Sequence, residues 1–180
     1  YTTSHPLDMD IELLEAHRDI DKLMPYLHLP VQSGSDKILK MMNRKHSVKD
    51  YIRVIEKVRD YNPEIAISGD FIVGFPGETN KDHQATLDLI KEINYSQAYS
   101  FKYSSRPGTP AVVFFDHIDE KIKSERLQEV QDSLRLQQMK YNKKSINSTL
   151  NVLVLKKGKK INQYLGRTPF NQSIYFRSNS

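Results

Sequence analysis

The run Ser68-Gly-Asp-Phe-Ile-Val-Gly-Phe-Pro-Gly-Glu-Thr79 constrains the fold more than any other stretch of the chain. With Ile65-Ala-Ile just ahead of it, the run is apolar on nearly every position, and a strand with no polar side needs cover on both faces. That is the pattern of a parallel strand under helices. It ends in Gly74-Phe-Pro-Gly77, a tight turn, and Thr79 is placed to cap a following helix. An acidic residue within such a strand, with a glycine turn at its end, is how an open or barrel α/β sheet holds a nucleotide-like ligand. A glycine turn by itself also serves as a plain βα connection.

Around this run strand-like and helix-like segments alternate. Thr2–Ser4 reads as the end of a strand, Asp10–Arg18 as a short helix and Tyr26–Val31 as a second strand. Ser35 or Asp36 can cap a helix beginning near Lys37, and Ser47 with Asp50 three residues on makes a capping box for the next. Tyr51, Ile52, Ile55 and Val58 fall on one face of that helix, which Asn62-Pro63 ends. Thr79 opens a helix carrying Leu87, Leu89, Ile90 and Ile93, Ala98–Tyr103 is a strand, and about Asp119–Lys144 is a long helix striped by Ile122, Leu127, Val130, Leu134 and Met139. Strands separated by helices of this length predict βαβ units and a parallel sheet. Beyond Ser145 the period changes to two: Leu150, Val152 and Val154 alternate with their neighbours, Gly158 turns the chain, and Ile174–Phe176 is another strand. The boundary between an α/β domain and the start of a small β domain falls there.

Charge divides at nearly the same place. Residues 133–180 hold ten of the 27 Lys and Arg and none of the 22 Asp and Glu. A cationic tail without carboxylates suits a polyanion, because each phosphate it neutralises releases a counterion. Cysteine is absent, which excludes disulfides, thiolate metal sites and thiol nucleophiles from these residues. No apolar stretch approaches the roughly 20 residues that span a bilayer. The six histidines show no metal-ligand spacing, and no serine sits in a G-x-S-x-G frame, so neither a metal nor a hydrolytic nucleophile is assigned.

Gln32 after the second strand, Arg44 after the short helix and Asp70 on the third strand are the candidate ligand contacts. A parallel sheet would put Gln32 at the carboxyl edge where α/β folds bind ligands, with Arg44 returned towards it. Arginine forks onto a carboxylate, glutamine bonds an amino or carboxylate group, and aspartate accepts from ribose hydroxyls. Arg106, in Tyr103-Ser-Ser-Arg-Pro-Gly-Thr109, follows a strand and is placed to meet a charged substrate or to cap carbonyls. Each of these also has a plain structural reading, as loop, helix end or cross-strand pair.

Taken in order, Thr2-Thr-Ser-His-Pro6, Leu27-His-Leu-Pro-Val-Gln-Ser-Gly-Ser-Asp36, Met42-Asn-Arg44, Asp70–Thr79 and Tyr103–Thr109 resemble the radical S-adenosylmethionine methylthiotransferases, with the family's spacing. His28-Leu-Pro-Val-Gln-Ser-Gly34 is similar to the tRNA-modifying branch. The resemblance implies a partial, TIM-like (βα)6 radical barrel, of which residues 1–144 are the later portion. Residues 145–180 would begin a small β-barrel TRAM domain that binds RNA, truncated here. It implies that Gln32 and Arg44 hold the methionine end of S-adenosylmethionine, that Asp70 lies by its ribose, and that Ile72 to Phe75 line its adenine. Arg106 would face substrate, and Lys156, Lys157, Lys159, Lys160 and Arg167 would face tRNA phosphates. The implied activity adds a methylthio group to C2 of N6-isopentenyladenosine beside the anticodon, using S-adenosylmethionine and two 4Fe–4S clusters, in a cytoplasmic monomer with no membrane contact and an unassigned sulfur donor.

The family's C-x-x-x-C-x-x-C run and its further cysteines are missing, so the expectation is a piece of a longer protein that does not turn over alone. Two other readings stay open: a cysteine-free tRNA-binding remnant without chemistry, and a sister methylthiotransferase acting on another tRNA adenosine or a ribosomal protein.

Overall fold

The computed structural model describes residues 4–106, 108, 114 and 116–178. After a 3-10 turn at Pro6–Asp8 come α1 (Ile11–Asp19), β1 (Tyr26–His28), α2 (Asp36–Met41), α3 (Val48–Tyr61), β2 (Ala66–Val73), α4 (Asn80–Ile93), β3 (Gln97–Lys102) and α5 (Glu120–Lys143). Strands β1, β2 and β3 form one parallel sheet in that order, with Leu27 opposite Ile67 and Asp70 opposite Tyr99. Parallel neighbours need crossovers, and α2, α3 and α4 supply them.

Local chemistry sets the helix starts. Ser47 and Thr79 accept from the N–H groups of Asp50 and Asp82, whose carboxylates return to the cap residues, so both boxes are complete. Tyr51, Ile55 and Val58 recur at helical spacing and are buried with Leu89, Ile90, Val130 and Leu134 against Leu27, Leu29, Ile67, Phe71 and Val73. Inside this core the Tyr95 hydroxyl donates to the Tyr51 hydroxyl, which donates to the Leu29 carbonyl, each at 2.9 Å. Both buried phenols therefore have partners, as buried polar groups require. Gly69 makes room for them, since a Cβ there would lie 3.0 Å from the Tyr95 ring.

The helices cover one face of the sheet only. Asp70 and Ile72 on β2 are half-buried, and Tyr99 and Phe101 on β3 are 48% and 55% exposed, so the expected cover on both faces is not met among the described residues. Tyr26–Val31 is not one strand either. Regular pairing stops at His28 before Pro30, which has no N–H to offer, and resumes as a single parallel bridge from Gln32 to Phe71. The two apolar pieces around Gly69 form one strand, β2, as the sequence leads one to expect. On α5, Val130 and Leu134 are buried, but Ile122 and Met139 stand 41% and 51% exposed at its ends, where the helix runs past the sheet. Of the expected first strand, residues 1–3 lie outside the described residues; the Ser4 N–H donates to the His28 carbonyl at 3.2 Å, along the other edge of β1.

The C-terminal segment forms a second sheet of three antiparallel strands, β4 (Leu153–Lys157), β5 (Gln163–Arg167) and β6 (Ser173–Arg177), in sequence order. It is an open sheet, not a closed barrel, among the described residues. No strand is expected from the sequence over β5, where Gly166 interrupts a short apolar pattern. The glycine is needed there, since a Cβ would lie 2.3 Å from the Val152 side chain. A bulge between Val154 and Lys156 brings Lys156 opposite Leu165. Gln172 donates to the Asn142 side chain at 2.8 Å and Phe170 meets the Tyr141 ring edge-on, so this sheet leans on the end of α5.

Candidate functional site

The loop leaving β1 is held in place by α4. Gly34 sits so close to α4 that a Cβ would fall 2.4 Å from the Ala85 carbonyl oxygen, and its N–H donates to Thr86 Oγ1 at 3.0 Å. Next to it Ser35 caps α2 and donates from Oγ to Asp82 Oδ1 at 2.6 Å. The other oxygen of Asp82 accepts from the Thr79 N–H at 2.9 Å and from Thr79 Oγ at 2.6 Å, and lies 3.3 Å from Lys37 Nζ. Lys37 also donates to the Gly77 carbonyl at 2.7 Å. Asp82 thus ties the loop after β1 to the turn after β2. Burial alone would raise its pKa, but the bonds from Ser35, Thr79 and Lys37 outweigh burial and hold it well below the usual carboxylate range.

Within this clamp Gln32 adopts φ 77°, a left-handed conformation rare for a residue with a side chain. Its N–H donates to the Asp70 carbonyl and its carbonyl accepts from the Ile72 N–H, both at 2.9 Å. The backbone therefore sets Gln32 beside Asp70 and Ile72. Arg44 is half-buried and within electrostatic reach of His46, which lies against the Val31 backbone. Burial first, then the charges of His5 and Arg44, push the His46 pKa down, so its ring stays neutral near pH 7. The segment carrying Arg44 thus returns to the same stretch of loop.

Asp70 lies on the face that the helices leave uncovered. Its Oδ2 is 3.3 Å from His28 Nε2, and His28 Nδ1 is 2.9 Å from Ser68 Oγ. The Tyr99 ring meets His28 edge-on at 6.4 Å. Ile72 shares this face. Phe75 does not join it: the residue is 5% exposed and packed edge-on against Tyr103 at 5.0 Å and Phe114 at 6.2 Å. Arg106 is exposed beyond β3, and residues 107 and 109 of its motif lie outside the described residues. Lys156, Lys157, Lys159, Lys160 and Arg167 are all exposed on the second sheet and its turn, Arg167 pairing with Asn171. A cleft of about 640 Å3 opens elsewhere, at the amino ends of the strands between Arg59, Ile65, Tyr141 and Phe170, at the seam of the two sheets.

Sequence reasoning missed three partnerships. His28 lies 3.3 Å from Asp70 through Nε2, a pairing set by the register of β1 on β2 and carried in the sequence only by the period-two parity of Tyr26 and His28 against Ser68 and Asp70. Asp82 was not read at all. Nor was the ion pair of Glu78 with Arg126, 2.7 Å apart with side chains 1% and 8% exposed. Glu78 also accepts from the Gly74 N–H at 3.0 Å, so the pair fastens the glycine turn to α5. Burial raises the Glu78 pKa, against the bonds from Gly74 and Arg126.

The donor set fits one end of a nucleoside ligand. Asp70 Oδ1 has no protein partner among the described residues, and an ionised carboxylate oxygen is an acceptor for ligand hydroxyls. It does not fit an iron–sulfur cluster, which these cysteine-free residues have no thiolate to hold. No cluster of three or more His, Asp or Glu suited to a metal occurs among the described residues.

Parallel βαβ units with polar groups gathered at the carboxyl ends of the strands define an α/β enzyme core. Residues 1–90 match the Radical SAM superfamily profile, and the chain belongs to that superfamily. Among curated relatives, the tRNA-2-methylthio-N(6)-dimethylallyladenosine synthase of Sphingopyxis alaskensis is 55% identical over 175 residues, 97% of this chain and 39% of the relative. The chain thus spans well under half of that relative's length. Two solved structures share the fold. Coproporphyrinogen III oxidase (HemN) from Escherichia coli, described as a radical SAM enzyme, aligns with TM-score 0.62 and 20% identity over 75% of this chain and 31% of its own. Methanocaldococcus infernus Elp3, lacking its N-terminus, aligns with TM-score 0.55 and 12% identity over 91% and 51%.

Proposed function

We propose that this chain is part of a methylthiotransferase that modifies C2 of an N6-isopentenyladenosine beside the tRNA anticodon. The observation that carries the reading is the 55% identity to a synthase of that name across 97% of the chain. S-adenosylmethionine, when bound, supplies the radical that removes hydrogen from the adenine C2.

The chain's own residues bind and orient. Asp70 accepts from the ribose hydroxyls, Gln32 and Arg44 take the amino and carboxylate groups, and Ile72 lies towards the adenine with Phe75 packed behind it. The clamp through Asp82 keeps Gln32 in its left-handed conformation before ligand arrives, so little order has to be created on binding. Arg106 meets the substrate. Lys156, Lys157, Lys159, Lys160 and Arg167, in a TRAM-type RNA-binding segment over 145–180, neutralise tRNA phosphates. Thiolates for the two 4Fe–4S clusters come from outside these 180 residues, and the sulfur donor stays unassigned. The assembled enzyme is a cytoplasmic monomer.

The cationic, acid-free residues 133–180 also favour a second reading, a tRNA-binding module without chemistry. A hybrid separates the two. This chain replaces the matching 39% of the Sphingopyxis enzyme, and bulk tRNA is examined by mass spectrometry for 2-methylthio-N6-isopentenyladenosine. Formation of that nucleoside is expected. A folded, cluster-loaded hybrid that binds tRNA and leaves it unmodified overturns the proposal.

A further inference from the structure

The second sheet has two unlike faces. Residues directly opposite one another in antiparallel strands project to the same side, so the register puts Gly166 and Ile174 on one face with Tyr164 and Phe176. That face is the packed one. Gly166 is buried against the Val152 side chain, Ile174 is half-buried, and the half-buried rings of Tyr164 and Phe176 stack 5.9 Å apart; Val154, on the outer strand, is more open. The other face carries Leu153 opposite Arg167, Leu165 between Lys156 and Tyr175, and Arg177 opposite Gln163. Tyr175 is 65% exposed there. A single exposed aromatic ring is ordinary, but this one stands among cations. Arg177 is two residues along the same strand, about 7 Å away at the backbone, and Lys156 is two strands away, about 10 Å. Arg167 lies on the diagonal of the neighbouring strand, at about 8 Å. Residues 133–180 contain no Asp or Glu, so no carboxylate of this segment stands between them.

We propose that Tyr175 is the stacking platform for one unpaired base of the bound RNA, with Lys156, Arg167 and Arg177 taking the phosphates on either side of it. Single-stranded RNA answers this face on two counts, offering phosphates to the cations and the flat side of a base to the ring. A paired duplex answers it on one count only, because its bases already stack on each other. The ring is ready to act in this way. It stands out from a strand, it has no ring partner among the described residues, and its two side-chain torsions lose little freedom on stacking. The packed face has no comparable group, since its two rings are occupied with each other. Tyr175 thus makes the segment selective for unpaired RNA, a property that its net charge alone does not supply. Sequence shows the cations and the tyrosine, but only the register of β4 on β5 and of β5 on β6 gathers them on one side.

This inference rests on the reading of residues 145–180 as an RNA contact, and the experiment separates the two. The full chain and its variants are titrated with an anticodon stem-loop RNA and with a fully paired RNA duplex of equal phosphate number, each over a range of salt. Tyr175→Ala should weaken stem-loop binding about 10-fold, the loss expected for one base–aromatic stack, and leave both the salt slope and the duplex affinity unchanged. Tyr175→Phe should bind as the wild type does, because the ring is kept. Arg177→Gln should instead weaken both RNAs and lower the logarithmic salt slope by about 1. Wild-type affinity of Tyr175→Ala for the stem-loop, or an equal loss with stem-loop and duplex, overturns the stacking role and leaves the cationic contact standing. A wild-type chain that binds neither RNA overturns the RNA reading itself. The chain contains no tryptophan, so Tyr175→Trp gives a second readout through a single indole. Its fluorescence should be quenched by the stem-loop and not by the duplex; equal quenching by both, or none with the stem-loop bound, refutes the stack.

Discussion

Replacing Asp82 by alanine removes one carboxylate that serves four donor groups on three residues, Ser35, Thr79 and Lys37. Ser35 is buried, so its hydroxyl is left unpaired, at about 1–3 kcal/mol. The first turn of α4 loses the returning half of its capping box, at about 1 kcal/mol. Lys37 adds little, being half exposed and screened by water. The expected loss is about 3 kcal/mol, or roughly 6–12 °C in Tm for a chain of this size. The pH dependence tests the cause. The folded pKa of Asp82 is depressed, so its contribution is complete above the unfolded value near 3.8 and is lost as pH falls through the folded one. The gap between wild type and Asp82→Ala should therefore be widest at neutral pH and narrow below about pH 4. Urea denaturation followed by circular dichroism from pH 7 to pH 3 measures it. A difference under about 1 kcal/mol at pH 7, or one that stays constant across the range, refutes the clamp as described.

Gly34→Ala should cost about 2–3 kcal/mol, because its Cβ would meet α4 backbone 2.4 Å away that cannot rotate aside; an unchanged Tm would contradict this. Arg126→Met, which strands the buried Glu78 carboxylate, should cost about 3–5 kcal/mol in urea denaturation, with Glu78→Gln in the same chain recovering part of it. His17 and His46 both have pKa values lowered by burial, so they favour the fold fully above pH 6.5 and less as pH falls towards their folded values. Tm should drop between pH 6.5 and pH 5 less steeply in His46→Gln than in the wild type, as read by scanning calorimetry. Lys156→Glu with Lys160→Glu should weaken tRNA binding and reduce its logarithmic salt slope by about 2 in a filter-binding titration.

What sequence made legible was local. Ser47 with Asp50 three residues on could be read as a capping box, and Thr79 as a cap ahead of an apolar helical pattern, from spacing alone, and both caps form. The apolar run of β2 announced a buried parallel strand for the same reason. What it hid depends on register. Asp70 meets His28 only when β1 and β2 pair in one particular alignment, and Glu78 meets Arg126 only when α5 crosses the turn 48 residues earlier in the chain. The left-handed Gln32 was equally hidden, since nothing about glutamine foretells a conformation imposed by Pro30, Gly34 and α4 together. On β5 packing again decides. The strand was not expected, and its Gly166 is a spacer that the close Val152 side chain demands.

The bulge at Leu155 decides which lysine faces which way on the second sheet. Lys156 stands across from Leu165 and Lys157 across from Tyr164, so the two project to opposite sides. Lys156 shares its flank with Arg167, Tyr175 and Arg177, while Lys157 projects with Tyr164 and Phe176, whose rings stack 5.9 Å apart. Were Leu155 itself paired with Leu165, each lysine would move one place along and the two would exchange sides, so that a polyanion laid along the Arg167–Arg177 flank would meet Lys157 where it now meets Lys156.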